Sequence, residues 1–144
     1  MPYVSEPGDY KMYWGHAVSE NLVDWEDLPV ALAPVDECDE GGCWSGCALE
    51  LDQKVYLMYT GLDARNGMQQ GQCMAVSDDG IHFTKTEDSP ILADTLCEAD
   101  KKDFRDPYIW RQNGEWNMIL GSTKDHFAQA LLYRSNRLKK LAFY

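Results

Sequence analysis

Short apolar runs of strand length recur along the chain and are separated by Gly, Pro, Asp and Asn. Residues 54–60, 72–77, 115–123 and 130–135 are rich in β-branched and aromatic side chains, which fit the pleated, half-buried surface of a sheet. No window places apolar residues at the spacing of a long amphipathic helix. The pattern therefore predicts an all-β fold without long helices.

A short element of sequence repeats at a fixed interval. Residues 19–25 (SENLVDW) match residues 77–83 (SDDGIHF) and, more weakly, residues 135–141 (SNRLKKL), with a step of 58 residues each time. Residues 55–61 likewise match residues 115–121, which lie 60 positions further on. A period of this length with about four short strands is typical of a β-propeller blade, whose sheet packs face to face on the next blade around a central axis.

The period divides the chain among three blades. Residues 13–32 supply the end of a first blade, residues 44–92 a second blade, and residues 104–144 most of a third, about two and a half blades in all. Trp25 and Phe83 then fall where an aromatic side chain packs between blades. Because propellers typically close with about 4–8 blades, we expect the chain to be a single fragment of a longer propeller domain.

Composition excludes several classes of protein. The chain has 13 Lys and Arg against 24 Asp and Glu, a net charge of −11, and no basic stripe that could track nucleic-acid phosphates. A mean hydropathy of −0.47 and the lack of a long apolar run exclude a transmembrane helix, and residues 1–10 lack the features of a signal peptide. Five cysteines without a C-x-x-C pair favour free thiols in a reducing compartment. We therefore expect a cytoplasmic protein with neither a nucleic-acid nor a membrane partner.

The cysteines and acidic runs do not have the spacing of a metal site. Cys38, Cys43 and Cys47 are close in sequence, but the three histidines lie far apart and form no H-x3-H pair. The acidic runs at residues 36–40 and 100–103 lack the spacing of a calcium-binding loop. We expect semi-buried thiols and solvated loops, and predict neither a metal nor a cofactor.

The 60-residue offset superposes Arg105 on Ser45. Trp44 and Ser45 then lie at the start of one innermost strand, and Arg105 and Asp106 lie at the start of the next, so that all four face one axial pocket. Pro107 fixes its own φ and is expected to hold the preceding residue, Asp106, in an extended conformation, and the Asp106 carboxylate could accept hydrogen bonds from a vicinal diol.

The other three side chains suit the same kind of ligand. Arg105 offers a planar fork of donors, Trp44 a flat apolar face, and Ser45 a hydroxyl that donates and accepts. Together these groups suit a neutral polyhydroxylated ligand such as a sugar. The alternatives from spacing alone are a turn or local ion pair for Arg105 and Asp106, and a core position for Trp44.

The motifs around these residues resemble a known family. Residues 14–32 (WGHAVSENLVDWEDLPVAL) are similar to the W-G-H-A-x-S-x-D-L-x-x-W-x-x-L-P-x-A-L tract of glycoside hydrolase family 32, which contains invertases, sucrose-6-phosphate hydrolases, inulinases and levanases. Further matches follow in the family's order at residues 42–46 (GCWSG), 59–61 (YTG), 72–73 (QC), 77–80 (SDDG), 104–107 (FRDP) and 118–122 (MILGS).

The resemblance implies a five-bladed propeller and retaining hydrolysis of β-fructofuranosides, with sucrose, sucrose 6-phosphate or a fructo-oligosaccharide as the small-molecule partner. On the family's pattern, Asp106 stabilises the oxocarbenium-like transition state, and Arg105, Trp44 and Ser45 bind substrate. The family's nucleophile is an Asp in an N-D-P-N-G motif upstream of W-G-H-A, and its acid/base is a Glu in an E-C motif one blade after R-D-P; neither has a counterpart at its position in this sequence. We therefore expect the full-length protein to be the enzyme and this chain to be inactive alone.

Two departures and several alternatives accompany this interpretation. Cys47 replaces a small Ser or Ala of the family, and Leu141 replaces the aromatic residue of the third repeat. A non-catalytic fructan-binding or degenerate propeller is the main alternative, and the flanking sequence would distinguish it. Propellers that cleave arabinosides are a nearer rival than interaction propellers of the WD type, whose shorter period and W-D dipeptide are absent.

Overall fold

A computed structural model describes residues 11–93 and 99–138 and the strand residues 142–143. The described residues form strands, turns and bends, and none is helical. The strands are β1 (Ala17–Val18), β2 (Glu26–Asp27), β3 (Cys43–Leu51), β4 (Lys54–Asp63), β5 (Gln69–Ser77), β6 (Thr84–Lys85), β7 (Phe104–Gln112), β8 (Glu115–Lys124), β9 (Phe127–Ser135) and β10 (Ala142–Phe143). The predicted all-β fold is thus confirmed. In this part of the chain no helix has the length and apolarity needed to cross a membrane.

The strands form three antiparallel sheets in chain order. Strands β3 to β6 make one four-stranded sheet, and strands β7 to β10 make a second with the same meander order. Strands β1 and β2 form a two-stranded sheet, which an isolated bridge between Trp14 and Leu32 extends. In both four-stranded sheets each strand pairs with the next strand in sequence, so these sheets are built from local hairpins.

Three hairpins within these sheets are closed by two-residue turns. Residues 52–53, 113–114 and 125–126 connect β3 to β4, β7 to β8, and β8 to β9, and all six residues have φ between 50° and 84°. Positive φ at both positions gives a turn whose twist matches that of the flanking strands, and Asn-Gly at 113–114 is a favoured sequence for it. The registers of β4 and β8 are therefore fixed locally.

The middle strands of the first four-stranded sheet are buried on both faces. Leu57 and Tyr59 point to the side of the two-stranded sheet, while Met58 between them points to the second four-stranded sheet. The core between the two larger sheets is made by large side chains from both, including Met58, Met74, Phe104, Ile109, Met118, Leu120 and Tyr133. Face-to-face packing of successive sheets is the arrangement that the repeat predicts.

The repeated sequence element forms the same turn in two places. The hydroxyls of Ser19 and Ser77 each accept hydrogen bonds from the N–H groups two and three residues later. The side chains of Asn21 and Asp79 accept the next two N–H groups. A hydrogen bond from His82, together with these N–H groups, lowers the pKa of Asp79. The repeat is therefore a local hydrogen-bonding unit that precedes the last strand of a sheet.

The two aromatic residues after these turns differ in burial. Phe83 packs on the core between the two-stranded sheet and β4, with its ring centroid 5.8 Å from that of His16. Trp25 is 59% exposed, so the described residues do not bury it, and its packing between blades stays a prediction for the full-length protein. Leu141 and Cys97 lie outside the described residues.

Candidate functional site

The first strand of each four-stranded sheet carries a β-bulge at the same place. The pairing of β3 with β4 shifts register between Trp44 and Gly46, and the pairing of β7 with β8 shifts between Arg105 and Tyr108. Ser45, Asp106 and Pro107 are thereby left out of the ladders. A bulge bends its strand and re-aims a side chain, so the bulges turn matching positions of neighbouring sheets toward a common region.

A close contact between the backbones of the paired strands β3 and β4 fixes the first bulge. A Cβ atom on Gly46 would lie 1.9 Å from the carbonyl oxygen of Met58 on β4. No side chain fits there, which is the physical reason for glycine directly after Ser45. The sequence shows the glycine, but only the structure shows what it touches.

The four residues predicted from the sequence line one open cavity. Trp44, Ser45, Arg105 and Asp106 surround a space of about 580 Å³, whose other lining residues are Met12, Tyr13, Trp14 and Cys43. This volume lies in the range of small-molecule sites, about 300–1,000 Å³. The structure therefore brings all four candidate residues together, and their roles toward a ligand stay predictions.

A buried polar network holds the backbone at Asp106. This residue has a φ of 60°, in the left-handed region that costs a non-glycine residue about 1–2 kcal/mol. The prediction that Pro107 holds Asp106 in an extended conformation is therefore wrong, because the bulge and the hydrogen bond of its N–H override the local preference. Its N–H donates to Thr60 Oγ1 at 3.1 Å, Thr60 Oγ1 donates to Gln72 Oε1 at 2.9 Å, and Gln72 Nε2 donates to the carbonyl of Phe104 at 2.7 Å. Thr60 and Gln72 are fully buried. Side chains of one sheet therefore fix the bulge of the next.

Thr60 and Gln72 were not among the residues predicted from the sequence. Both stand among apolar residues in runs that predict buried strands, and a fully buried polar side chain requires a hydrogen-bond partner. That mismatch is the signal that could have drawn attention to them, although it does not identify the partner.

Arg105 forms a local ion pair with Asp103 and lies near the ring of Trp44. Its Nη1 lies 2.7 Å from Asp103 Oδ1, and its guanidinium carbon lies 5.9 Å from the centroid of the Trp44 ring. Its Nε is 3.9 Å from Asp106 Oδ2, beyond hydrogen-bond distance. The Asp106 carboxylate is 58% exposed and can accept hydrogen bonds from a ligand.

The opposite wall is built by the segment before β1. The indole N–H of Trp14 donates to the carbonyl of Trp44 at 3.0 Å, and the Trp14 ring meets Tyr59 edge-on with centroids 6.3 Å apart. The N–H of Cys43 donates to the carbonyl of Met12 at 2.9 Å. These contacts place residues 12–14 in the cavity wall, a role that the sequence alone did not assign to them.

A buried ionic cluster supports this wall. Asp39 is fully buried, and its Oδ2 accepts hydrogen bonds from Tyr59 Oη at 2.7 Å and Lys85 Nζ at 2.5 Å. Burial would lower the pKa of Lys85, but the hydrogen bond and charge of Asp39 outweigh it and raise that pKa. Burial raises the pKa of the Cys43 thiol to about 12. Cys43 is therefore a neutral thiol at the cavity, and not a nucleophile.

The cavity supplies one carboxylate. Asp106 is the sole Asp or Glu among the described residues that line it, whereas retaining hydrolysis of a glycoside needs two carboxyl groups about 5–5.5 Å apart. Cys47, a candidate in the metal interpretation, accepts a hydrogen bond from the N–H of Ile109 between the sheets. Across the described ranges, no three His, Cys, Asp or Glu side chains are arranged to hold a metal ion.

Successive four-stranded sheets packed face to face, with an open cavity beside their first strands, define a partial β-propeller. The family description "Glycosyl hydrolases family 32 N-terminal domain" matches residues 1–144. The chain belongs to this family, as the sequence motifs predicted.

Curated relatives agree with the family assignment. A sucrose-6-phosphate hydrolase of Zymomonas mobilis is 43% identical over 142 residues, which cover 92% of this chain and 27% of that protein. A sucrose-6-phosphate hydrolase of Bacillus subtilis is 37% identical over 141 residues, covering 96% and 29%. The chain thus spans less than a third of the length of these relatives.

Solved structures of the family have the same fold. A β-fructofuranosidase of Bombyx mori, in a mutant form complexed with sucrose, is 37% identical with a TM-score of 0.77 over 91% of this chain and 28% of that one. A fructan 1-exohydrolase IIa of Cichorium intybus, complexed with 1-kestose, is 30% identical with a TM-score of 0.85 over 100% and 28%. The predicted partial propeller is confirmed.

Proposed function

We propose that the full-length protein hydrolyses a small β-D-fructofuranoside, such as sucrose or sucrose 6-phosphate, with retention, and that this chain contributes part of its fructosyl pocket. The single observation that carries the proposal is the cavity into which Trp44, Ser45, Arg105 and Asp106 converge from two bulged strands. Membership of a glycoside hydrolase family and relatives named as sucrose-6-phosphate hydrolases support it.

Each side chain has a definite part in this proposal. The exposed carboxylate of Asp106 accepts hydrogen bonds from neighbouring ring hydroxyls and stabilises the positive charge that develops on the sugar as the glycosidic bond breaks. Ser45 binds a further hydroxyl, and the Trp44 ring with the Arg105 guanidinium over it forms a wall of the pocket. The bond-breaking pair, a nucleophile and an acid/base, comes from elsewhere in the full-length protein.

The test uses the full-length enzyme with Asp106→Asn. This change removes the charge and keeps the shape, so we expect kcat to fall by about 10²-fold or more, as when one preorganised electrostatic group is removed. Asp125→Asn is the matched control, because Asp125 is exposed and also has a positive φ of 50°. Near-normal turnover of the Asp106→Asn enzyme on both sucrose and sucrose 6-phosphate would refute the role.

A non-catalytic fructoside-binding propeller is the second candidate. The observation in its favour is the single carboxylate among the described lining residues. Flanking coding sequence with an upstream N-D-P-N-G and a downstream E-C supports the enzyme, and an intact gene without them supports the binding protein. For this chain alone, we expect no release of fructose from sucrose, and measurable release would overturn that expectation.

A further inference from the structure

Two cysteines that the proposed function does not use lie side by side. The Sγ atoms of Cys38 and Cys73 are 3.5 Å apart, although the residues are 35 positions apart in sequence. Both are free thiols in this structure. The thiols of Cys43 and Cys47 have other partners, Asp39 and the N–H of Ile109. The close pair is therefore distinct among the four described cysteines.

The two thiols differ in access to solvent. Cys38 is half-buried in the turn before β3 and lines an open cavity of about 610 Å³, which shares no lining residue with the cavity at Asp106. Cys73 is fully buried in β5 and does not line this cavity. A small oxidant can therefore reach Cys38 from the cavity, whereas Cys73 is closed to solvent. This is the arrangement of a reacting thiol with a resolving partner.

A glycine on the neighbouring strand makes room for the pair. A Cβ atom on Gly61 would lie 2.7 Å from Cys73 Sγ and 2.5 Å from the carbonyl oxygen of Cys38. Because glycine has no Cβ atom there, the turn that carries Cys38 lies directly against the sheet. A disulfide requires an S–S separation of about 2.05 Å, so the two sulfurs must close by about 1.5 Å. The turn supplies that movement more easily than a central strand.

The electrostatic surroundings favour reaction at Cys38. The hydrogen bond donated by Cys73 lowers the pKa of the Cys38 thiol, and the charge of Lys85 acts in the same direction, against burial and the charges of Asp39 and Asp36. The thiolate is the form that attacks an oxidant. The hydrogen bond with Cys38 and burial raise the pKa of the Cys73 thiol. Solvent access and these directions together make Cys38 the thiol that reacts first and Cys73 the partner that follows.

We propose that Cys38 and Cys73 are a redox-modified pair that forms a reversible disulfide with a hydroperoxide as oxidant. The Cys38 thiolate attacks a peroxide oxygen, the O–O bond breaks, and with hydrogen peroxide Cys38 becomes a sulfenic acid while one water leaves. The Cys73 sulfur then attacks the Cys38 sulfur, forming the S–S bond and releasing a second water. Two thiols lose two electrons and two protons, and one peroxide is reduced to two waters; a dithiol reverses the change.

The test maps the pairing of these cysteines in the full-length protein. The reduced chain is treated with hydrogen peroxide, alkylated in denaturant, and cut before aspartate, which separates the cysteines into peptides 36–38, 39–51, 63–77 and 94–99. We expect a linked pair of peptides 36–38 and 63–77, an intact mass lower by about 2 Da, and loss of both changes after dithiothreitol. Peptide 39–51 should stay fully alkylated.

Variants separate a specific pair from general oxidation. Cys38→Ser should leave Cys73 alkylatable after peroxide, and Cys73→Ser should leave a sulfenic acid on Cys38 that dimedone traps. Cys47→Ser and Cys97→Ser are the matched controls and should keep the link. The proposal is overturned if peptide 36–38 links to a different peptide, if Cys38 is oxidised in the native chain while Cys73 stays a thiol, or if the link forms equally well in urea.

Discussion

Replacing Thr60 with valine tests whether the second sheet fixes the bulge at Asp106. Valine keeps the branched shape but removes the hydroxyl that accepts the Asp106 N–H at 3.1 Å and donates to Gln72 Oε1 at 2.9 Å. Each buried group left without a partner costs about 1–3 kcal/mol. Because the Asp106 backbone is less buried than Gln72, we expect the free energy of unfolding to fall by about 2–4 kcal/mol.

The measurement is urea unfolding of the chain followed by tryptophan fluorescence. With a slope of about 2 kcal/mol per molar urea, the midpoint should fall by about 1–2 M. Thr84→Val, an exposed threonine at the last strand of the same sheet, is the matched control and should change stability by less than about 0.5 kcal/mol.

Hydrogen exchange supplies a second readout that a general loss of packing would not reproduce. In Thr60→Val the amide of Asp106 should lose its protection before the neighbouring amides of β7 do, because only its acceptor is removed. A midpoint within the control's range, together with unchanged protection at Asp106, would refute the claim that Thr60 positions this residue.

Three further predictions concern the surroundings of the site. Asp39→Ala should destabilise the chain by about 2 kcal/mol or more in thermal or urea unfolding, since it removes the buried carboxylate that Lys85 and Tyr59 both contact and leaves Lys85 with only Asp36 and the Ala33 carbonyl; a loss below about 1 kcal/mol would contradict this. Gly46→Ala should lower the free energy of unfolding by about 3 kcal/mol or more, because its Cβ would collide with the Met58 carbonyl; wild-type stability would contradict this close contact. His82→Ala should raise the pKa of Asp79, which the structure holds below its usual value, as followed by carboxyl NMR titration. Asp79 has its lowered pKa in the folded state, so the stability that its hydrogen bonds give the turn is present at neutral pH and is lost as the pH falls through that pKa. An unchanged Asp79 titration in the variant would contradict the role of His82.

Much of the fold followed from local patterns. Alternation and residue type placed the main strands, and the repeat from Ser19 to Ser77 marked the same hydrogen-bonded turn in both places. These features depend on residues close in sequence, so one chain carries their signal. The exposure of Trp25 could not be predicted in this way, because burial depends on which elements cover a face.

The residues of the candidate site could be predicted from the sequence, whereas most of the contacts that hold them could not. The offset between repeats placed Ser45 and Asp106 on equivalent strands, and the structure shows them at one cavity. The bulges, the hydrogen bonds of Thr60 with Asp106, and the pairing of Arg105 with Asp103 depend on the register between strands and on which rotamers fit. A single sequence contains no direct signal for strand register or for the choice of rotamer.

The central claim is that two bulged strands aim one set of side chains at a fructosyl unit. A crystal structure of the full-length protein with bound fructose tests it most directly. The account predicts ring hydroxyls within about 3 Å of the Asp106 carboxylate and Ser45 Oγ, with the sugar beside the Trp44 ring. Fructose bound at a different cavity, with Asp106 contacting only solvent, would contradict it.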